Sequence, residues 1–286
     1  MLKKITILLE MIKFSHTIFA LPFALIGAFL ASGGFPAAMT FFWVVLAMAG
    51  ARTAAMGFNR LADRRFDAVN PRTADRAIPA GAVGIIEAWA MVILFALLFF
   101  FACAQLNPLT LKLSPIALGL AFFYSLTKRF TWLCHVVLGL ALAFSPLGGW
   151  VAVTGTFSGF PWSLSLGVLF WVAGFDTVYA CLDADFDRQA GLFSMPARFG
   201  REKAFRLAVF FHLLAFLLFT LTGIVAGLNF YYFLGIAVTA GALFYQHLVV
   251  NPRDLSRIEL SFFTMNGLIS LTLFAATWLA LVTETG

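Results

Sequence analysis

The sequence predicts an all-α, polytopic membrane protein of about nine transmembrane helices, set as two parallel four-helix repeats plus one around a central cavity. Three observations carry that prediction. The 286 residues are 62% hydrophobic and only 11% charged, whereas a soluble domain carries about 25% charged residues. Nine segments are apolar and long enough to cross a bilayer core, which takes about 20 residues. Two charged islands, 59–81 and 176–188, interrupt the apolar chain at matching points. Their aspartate pairs are offset by 120 residues, from Asp63 to Asp183 and from Asp67 to Asp187.

The predicted spans are 14–32, 37–58, 83–104, 109–127, 135–154, 163–182, 204–227, 229–250 and 259–281. The N-terminus has Lys3 and Lys4 before an apolar run, as a signal peptide does. Glu10 and Lys13 interrupt that run, and 14–31 is long enough to span, so it reads as an uncleaved first helix. Gly33-Gly34 and Pro36 punctuate the first connection, Asn107-Pro108 the third, and Pro161 and Asn251-Pro252 two more. Pro146, Gly148 and Gly149 inside the fifth span predict a kink or a close helix approach.

Lys and Arg residues cluster at the N-terminus and after spans two, four, six and eight. Only Lys112 and Arg52 depart from this pattern. By the positive-inside rule the N-terminus and both islands are cytoplasmic, in a bacterial inner membrane, and the C-terminus is outside. The net charge of +6 is thereby a topology signal with attraction to anionic lipid, and a nucleic-acid face is excluded. Cys103, Cys134 and Cys181 are far apart and form no CxxC, so they read as packing residues. His16, His135, His212 and His247 have no ligand spacing and read the same way.

The islands carry the chemistry. Asn59, Asp63 and Asp67 are spaced i, i+4, i+8, which puts them on one helical face. Asp176, Tyr179, Asp183 and Asp187 repeat the device with spacings 3, 4 and 4. One such pair alone is most often a solvated helix end; two at matching repeat positions point to a site. Mg²⁺ takes one or two carboxylates, waters and substrate phosphate oxygens. Five converging carboxylates would repel one another, and Mg²⁺ with a diphosphate between the stripes resolves that. Asp185 points about 200° away from Asp183 on a helix and is left out. Arg72, Arg76, Lys128, Arg129, Arg198, Arg201 and Lys203 supply cations for a diphosphate. Arg52 lies two turns before Asn59 inside a span, where a charge faces a cavity, an anionic ligand group or an aspartate. Tyr124 and Tyr179 are the polar aromatics near the islands.

At these residues the chain resembles the UbiA superfamily of intramembrane aromatic prenyltransferases. The match is to Asn59-x3-Asp63-x3-Asp67, Arg72-Thr73, Arg76-x2-Pro79-x-Gly81, and Asp176-x2-Tyr179-x3-Asp183-x3-Asp187. The run Lys128-Arg129-Phe130-Thr131-Trp132, followed by the Gly/Pro-containing fifth span, is similar to the hydroxybenzoate polyprenyltransferase branch. Residues 13–24, KFSHTIFALPFA, are closer to the "UbiA-like" bacterial branch. Asn59-Arg60 stands where many members carry Asn-Asp, which removes one potential carboxylate.

The resemblance implies one domain over 1–286, with motif loops 59–82 and 183–203. It implies an enzyme that moves a polyprenyl group from polyprenyl diphosphate to a hydroxylated aromatic acid. The acceptor is 4-hydroxybenzoate in ubiquinone-type synthesis, or a hydroxylated naphthoate in menaquinone synthesis. It implies Mg²⁺ on Asp63, Asp67, Asp183 and Asp187 with Asn59 assisting. Arg72, Lys128 or Arg129 then meets the diphosphate or the acceptor carboxylate, and Asp176 and Tyr179 shape the cation site or orient a metal ligand. A transporter is the non-enzymatic alternative. It predicts ligands near the midplane, whereas these carboxylates sit at helix ends on one side.

Overall fold

The computed structural model describes Met11 and residues 17–284. The predicted uncleaved N-terminal segment up to residue 16, His16 included, lies outside the described residues. Within them the chain is helical, and the one strand-like feature is an isolated bridge between Asn251 and Asp254. Eight helices are long and apolar enough to cross a membrane, and a shorter apolar helix precedes them. The protein is an integral, multi-pass membrane protein.

The shorter helix is α1, Thr17–Ser32, which ends where Gly33 turns to a φ of 62°. The second, α2, is Ala38–Val69. Its 32 residues measure about 48 Å at 1.5 Å each, well beyond a hydrocarbon core of about 30 Å. The sequence predicts a span ending at 58. The helix instead runs on to Val69, and its last turns carry the first island. Asn70 ends it in an extended conformation.

α3 is Ile85–Leu106 and α4 is Pro108–Thr127. Asn107 caps α4: its side-chain oxygen accepts from the Thr110 N–H at 2.9 Å. Its amide also donates to the carbonyls of Val151 and Ala152, at 2.7 and 3.1 Å. Those carbonyls belong to α5, Cys134–Thr154. α6 is Trp162–Tyr179, the core of the most deeply buried span. A 3-10 turn, Ala180–Leu182, leads to two short helices, α7, Ala184–Gln189, and α8, Met195–Phe199. α9, Arg201–Val225, and α10, Phe230–Val249, follow. A π-helical turn, Leu260–Met265, opens the last helix, α11, Asn266–Glu284.

The two repeats are visible in the packing. α2 lies along α3 as α6 lies along α9, and α4 and α10 sit against α3 and α9 in turn. α1 packs on α5, and α11 closes the ring by packing on both α10 and α1. The predicted feature at 146–149 is a close approach. A Cβ on Gly149 would overlap the carbonyl oxygen of Ala24, and one on Gly27 would overlap that of Pro146. Ser145 adds a hydrogen bond from its hydroxyl to the Ala20 carbonyl at 2.8 Å. Beside this crossing Phe23 stacks on Phe219 at 5.7 Å and meets Trp171 at 5.1 Å, which joins α1, α6 and α9. Large apolar side chains such as Ile86, Phe230 and Phe244 lie exposed on the outside, as a lipid-facing surface requires. The three cysteines are buried and free.

Candidate active site

The ring of helices encloses a cavity of about 430 Å³. Its deep part is lined by apolar residues such as Val44, Phe99, Leu113 and Leu142. Its mouth is polar and is built from the ends of α2, α4 and α6 with the loops that follow them. Every candidate aspartate lines it: Asp63, Asp67, Asp176, Asp183 and Asp187, together with Asn59, Arg52, Arg72, Lys128, Arg129, Tyr124 and Tyr179.

On α2 the expected face forms. The Asn59 amide donates to Asp63 Oδ2 at 3.2 Å, one turn on, and reaches Ser125 Oγ on α4 at 3.4 Å. Asp67, another turn on, is buried and takes Arg76 Nη1 on Oδ1 at 2.7 Å. The second island departs from the single stripe that its spacing predicts. α6 stops at Tyr179, and the 3-10 turn puts Asp183 and Asp187 on a new helix. Asp183 sits at the N-cap of α7 but makes no cap bond. Its oxygens are drawn across the site instead. Oδ1 accepts from Arg72 Nε at 2.8 Å and Asn70 Nδ2 at 3.0 Å, and Oδ2 accepts from Arg72 Nη2.

Each of the four stripe aspartates meets one cation. Arg72 holds Asp183, Arg76 holds Asp67, Lys128 lies 3.8 Å from Asp187, and Arg129 lies 3.3 Å from Asp63. Two of these pairs, Arg72–Asp183 and Lys128–Asp187, join the repeats. Burial opposes the charge on Asp183, but Arg72 and Asn70 outweigh it and hold the carboxyl below the usual carboxylate range. Burial likewise opposes the charge on Lys128, and Asp187 beside it holds the ammonium above the usual lysine range.

The cations differ in what else they do. Arg129 also donates to the backbone carbonyls of Ala62 and Ser125, at 2.8 and 3.0 Å, so it clamps α4 to α2. Arg72 also donates to the Tyr179 hydroxyl at 3.3 Å and lies over that ring. Arg52 lines the cavity with its buried Nε unpartnered; it pairs with no aspartate among the described residues. Arg60, where a further acid was a family expectation, is a buried cation on the cavity wall.

Three predicted cations stand elsewhere. Arg198, Arg201 and Lys203 do not line the cavity, and Arg201 pairs with the exposed Asp185 at 2.8 Å. The short helices turn that face of the second loop outward. Two residues escape a reading by motif. Asn70 orients Asp183, and its position after a long helix and before Pro71 is the available signal. His135 reads from sequence as a packing residue, but it is wholly buried with Nδ1 2.6 Å from Asp176 Oδ2. A contact 41 residues away leaves no trace in local spacing.

A hard cation fits this donor set. Asp67 Oδ2 and Asp187 Oδ2 are buried without a hydrogen-bond partner, and both residues face the cavity. Among the described residues no three acidic, His or Cys groups are already gathered as a metal cluster. The paired cations hold the carboxylates apart.

Comparison with known proteins agrees with this architecture. Residues 20–268 match the family described as the UbiA prenyltransferase family. A 4-hydroxybenzoate octaprenyltransferase of Pectobacterium carotovorum subsp. carotovorum is 34% identical over 226 residues, 79% of this chain and 78% of its own. One from Methylobacillus flagellatus is 34% identical over 229 residues, 80% of this chain and 77% of its own. The apo structure of a UbiA homologue from Aeropyrum pernix K1 superposes with a TM-score of 0.85 at 35% identity, covering 95% of this chain and 98% of that one. A homologue from Archaeoglobus fulgidus bound to GPP and Mg²⁺ shares the fold, with a TM-score of 0.70 at 20% identity over 96% and 99% of the two chains.

Proposed function

Because the chain belongs to the UbiA prenyltransferase family, we propose that it transfers a polyprenyl group from polyprenyl diphosphate to the ring of 4-hydroxybenzoate, with Mg²⁺. The observation that carries this reading is the mouth of the cavity. Four carboxylates drawn from two repeats each face one cation there, at the mouth of a cavity whose deeper lining is apolar. The named activity of the curated relatives supports the acceptor, and the Mg²⁺ in the Archaeoglobus homologue supports the metal.

Asp63, Asp67, Asp183 and Asp187, with Asn59, hold the metal. Bound there, Mg²⁺ neutralises the diphosphate and makes it a better leaving group. Arg72, Arg76 and Lys128, each beside one of these carboxylates at the cavity mouth, would supply positive charge to the diphosphate oxygens. Arg129 stays with its two carbonyls. The apolar chamber receives the polyprenyl chain. The C–O bond breaks with its electron pair on diphosphate, leaving an allylic cation. The hydroxylated ring forms the new C–C bond to that cation, and the ring carbon then loses its proton. Asp176 and Tyr179 line the wall and stabilise the cation by charge and π-density. Arg52, two turns deeper than Asn59 and unpartnered, is the cation for the acceptor carboxylate. Tyr124 lies on the same wall.

The whole chain acts as one catalytic unit, with loops 59–82 and 183–203 as its active ends. The cationic loops support a bacterial inner membrane location with those loops cytoplasmic. The test is a product assay in membranes with Mg²⁺ and a polyprenyl diphosphate. 4-Hydroxybenzoate and a dihydroxynaphthoate are offered in parallel, with Asp63→Ala and Asp183→Ala as controls. Prenylated hydroxybenzoate that disappears in both controls is expected. Product only from the naphthoate overturns the acceptor, and substrate flux without product overturns the enzyme in favour of a transporter.

A further inference from the structure

The geometry points to His135 as a positioning residue that aims Asp176 into the cavity and ties that aim to the docking of the loop after the second island. The inference rests on the proposed prenyl transfer for its kinetic consequence, though not for its structural one.

His135 opens α5 and is wholly buried. Its two ring nitrogens have different partners. Nε2 lies 3.3 Å from the backbone N–H of Met195, which can only donate. Nε2 must therefore present its lone pair, and the ring proton belongs on Nδ1. Nδ1–H then donates to Asp176 Oδ2, 2.6 Å away. The backbone contact at one nitrogen thus sets the donor at the other. One oxygen of Asp176 is thereby held by His135, while the residue lines the cavity.

The same contact reaches the second island. Met195 follows a segment strapped to the Lys128–His135 stretch: the Phe193 N–H donates to the Lys128 carbonyl at 2.7 Å, and Cys134 Sγ to the Phe193 carbonyl at 3.6 Å. Just before it, the Leu192 N–H donates to the Asp187 carbonyl at 2.8 Å. Undocking the 192–195 segment would remove the acceptor duty of Nε2 and release the tautomer. His135 therefore reports to Asp176 that the loop bearing Asp187 is in place. None of this is needed for packing alone, which a phenylalanine of similar size would supply.

Two variants separate the two bonds. His135→Asn keeps a donor at the Nδ1 position and loses the Nε2 acceptor. His135→Gln keeps a polar group at the Nε2 position and loses the Nδ1 donor. With prenyl transfer as the readout, His135→Gln is expected to lose kcat by on the order of 10–100-fold, the range for outer-shell partners of a site. KM for the diphosphate should stay within about twofold, because the four metal-holding carboxylates are untouched. His135→Asn should retain most of kcat. Equal losses in both variants, or no loss in either, overturn the inference.

A second measurement does not depend on turnover. In ¹⁵N-histidine-labelled wild type, His135 should show a protonated Nδ1 and a bare Nε2, and Asp176→Asn should move the Nδ1 resonance. A protonated Nε2 overturns the inference whatever the assay gives. A wild type with the expected spectrum and no prenylated product overturns the proposed function and leaves the His135–Asp176 tie standing.

Discussion

At the scale of single residues, the site is a set of carboxylates already occupied by cations of the same chain. Asp183 is the clearest case, accepting three hydrogen bonds from Arg72 and Asn70. In the proposed metal site Arg72 would compete with the metal for this carboxylate. Arg72→Gln should therefore bind Mn²⁺ more tightly in the absence of substrate, by on the order of tenfold, since hydrogen bonds to charged groups are worth about 1.5–3 kcal/mol. The same variant should raise KM for the diphosphate. Mn²⁺ titration by electron paramagnetic resonance reads the first effect; unchanged or weaker binding would remove the competition. The depressed pKa of Asp183 fixes the direction of a pH effect. A carboxyl ionised more easily in the folded state stabilises the fold above its unfolded value of about 3.9 and loses that contribution as pH falls through the lower folded value. The thermal midpoint of wild type relative to Asp183→Asn should hold steady from pH 7 to about 4. Below that range the wild-type advantage should shrink.

At the scale of helices, two devices place those residues. One is excess length: α2, at about 48 Å for its 32 residues, exceeds a hydrocarbon core of about 30 Å and carries Asn59, Asp63 and Asp67 to the mouth on one continuous helix. The other is the α1–α5 crossing, where Gly27 and Gly149 let two backbones meet without an intervening side chain. Gly149→Ala should lower stability by about 1–3 kcal/mol through overpacking, seen as a lower thermal midpoint in detergent. Gly148→Ala is the internal comparison, because a Cβ there meets nothing within 4 Å. Equal effects of the two would show that the crossing is looser than its geometry implies. The 3-10 turn at 180–182 works the other way: it interrupts a helix so that Asp183 can face Arg72 rather than follow Tyr179 around α6.

At the scale of the molecule, the ring of helices places all polar machinery at one end and the chain-binding volume behind it. The ends of α2, α4 and α6 converge there, while the 155–161 loop and Asn107 lie at the other end, joined through the Val151 and Ala152 carbonyls. The proposed orientation, with the cationic loops cytoplasmic, predicts a labelling pattern. Ser158→Cys should react with a membrane-impermeant maleimide in intact cells, and Asp75→Cys only after the membrane is opened. Both positions are exposed, and the native cysteines are buried. The reverse labelling pattern would invert the topology and put the active end outside.

The sequence alone determined the fold class, the spans and the identity of the charged clusters. Apolar length, loop charge and i, i+4 spacing are local quantities, and the membrane leaves few other ways to bury a backbone. It also marked Asp63 and Asp67, because a helix face is legible from spacing, and Asp183 and Asp187, because they repeat that pair 120 residues on. Only the tertiary structure decided which cation meets which carboxylate, that Arg198, Arg201 and Lys203 stand apart, that α6 breaks before Asp183, and that His135 backs Asp176. The pairs that join the two repeats and the His135–Asp176 tie are contacts between residues 41 to 113 positions apart, whose geometry comes from how the helices pack rather than from any run of residues along the chain.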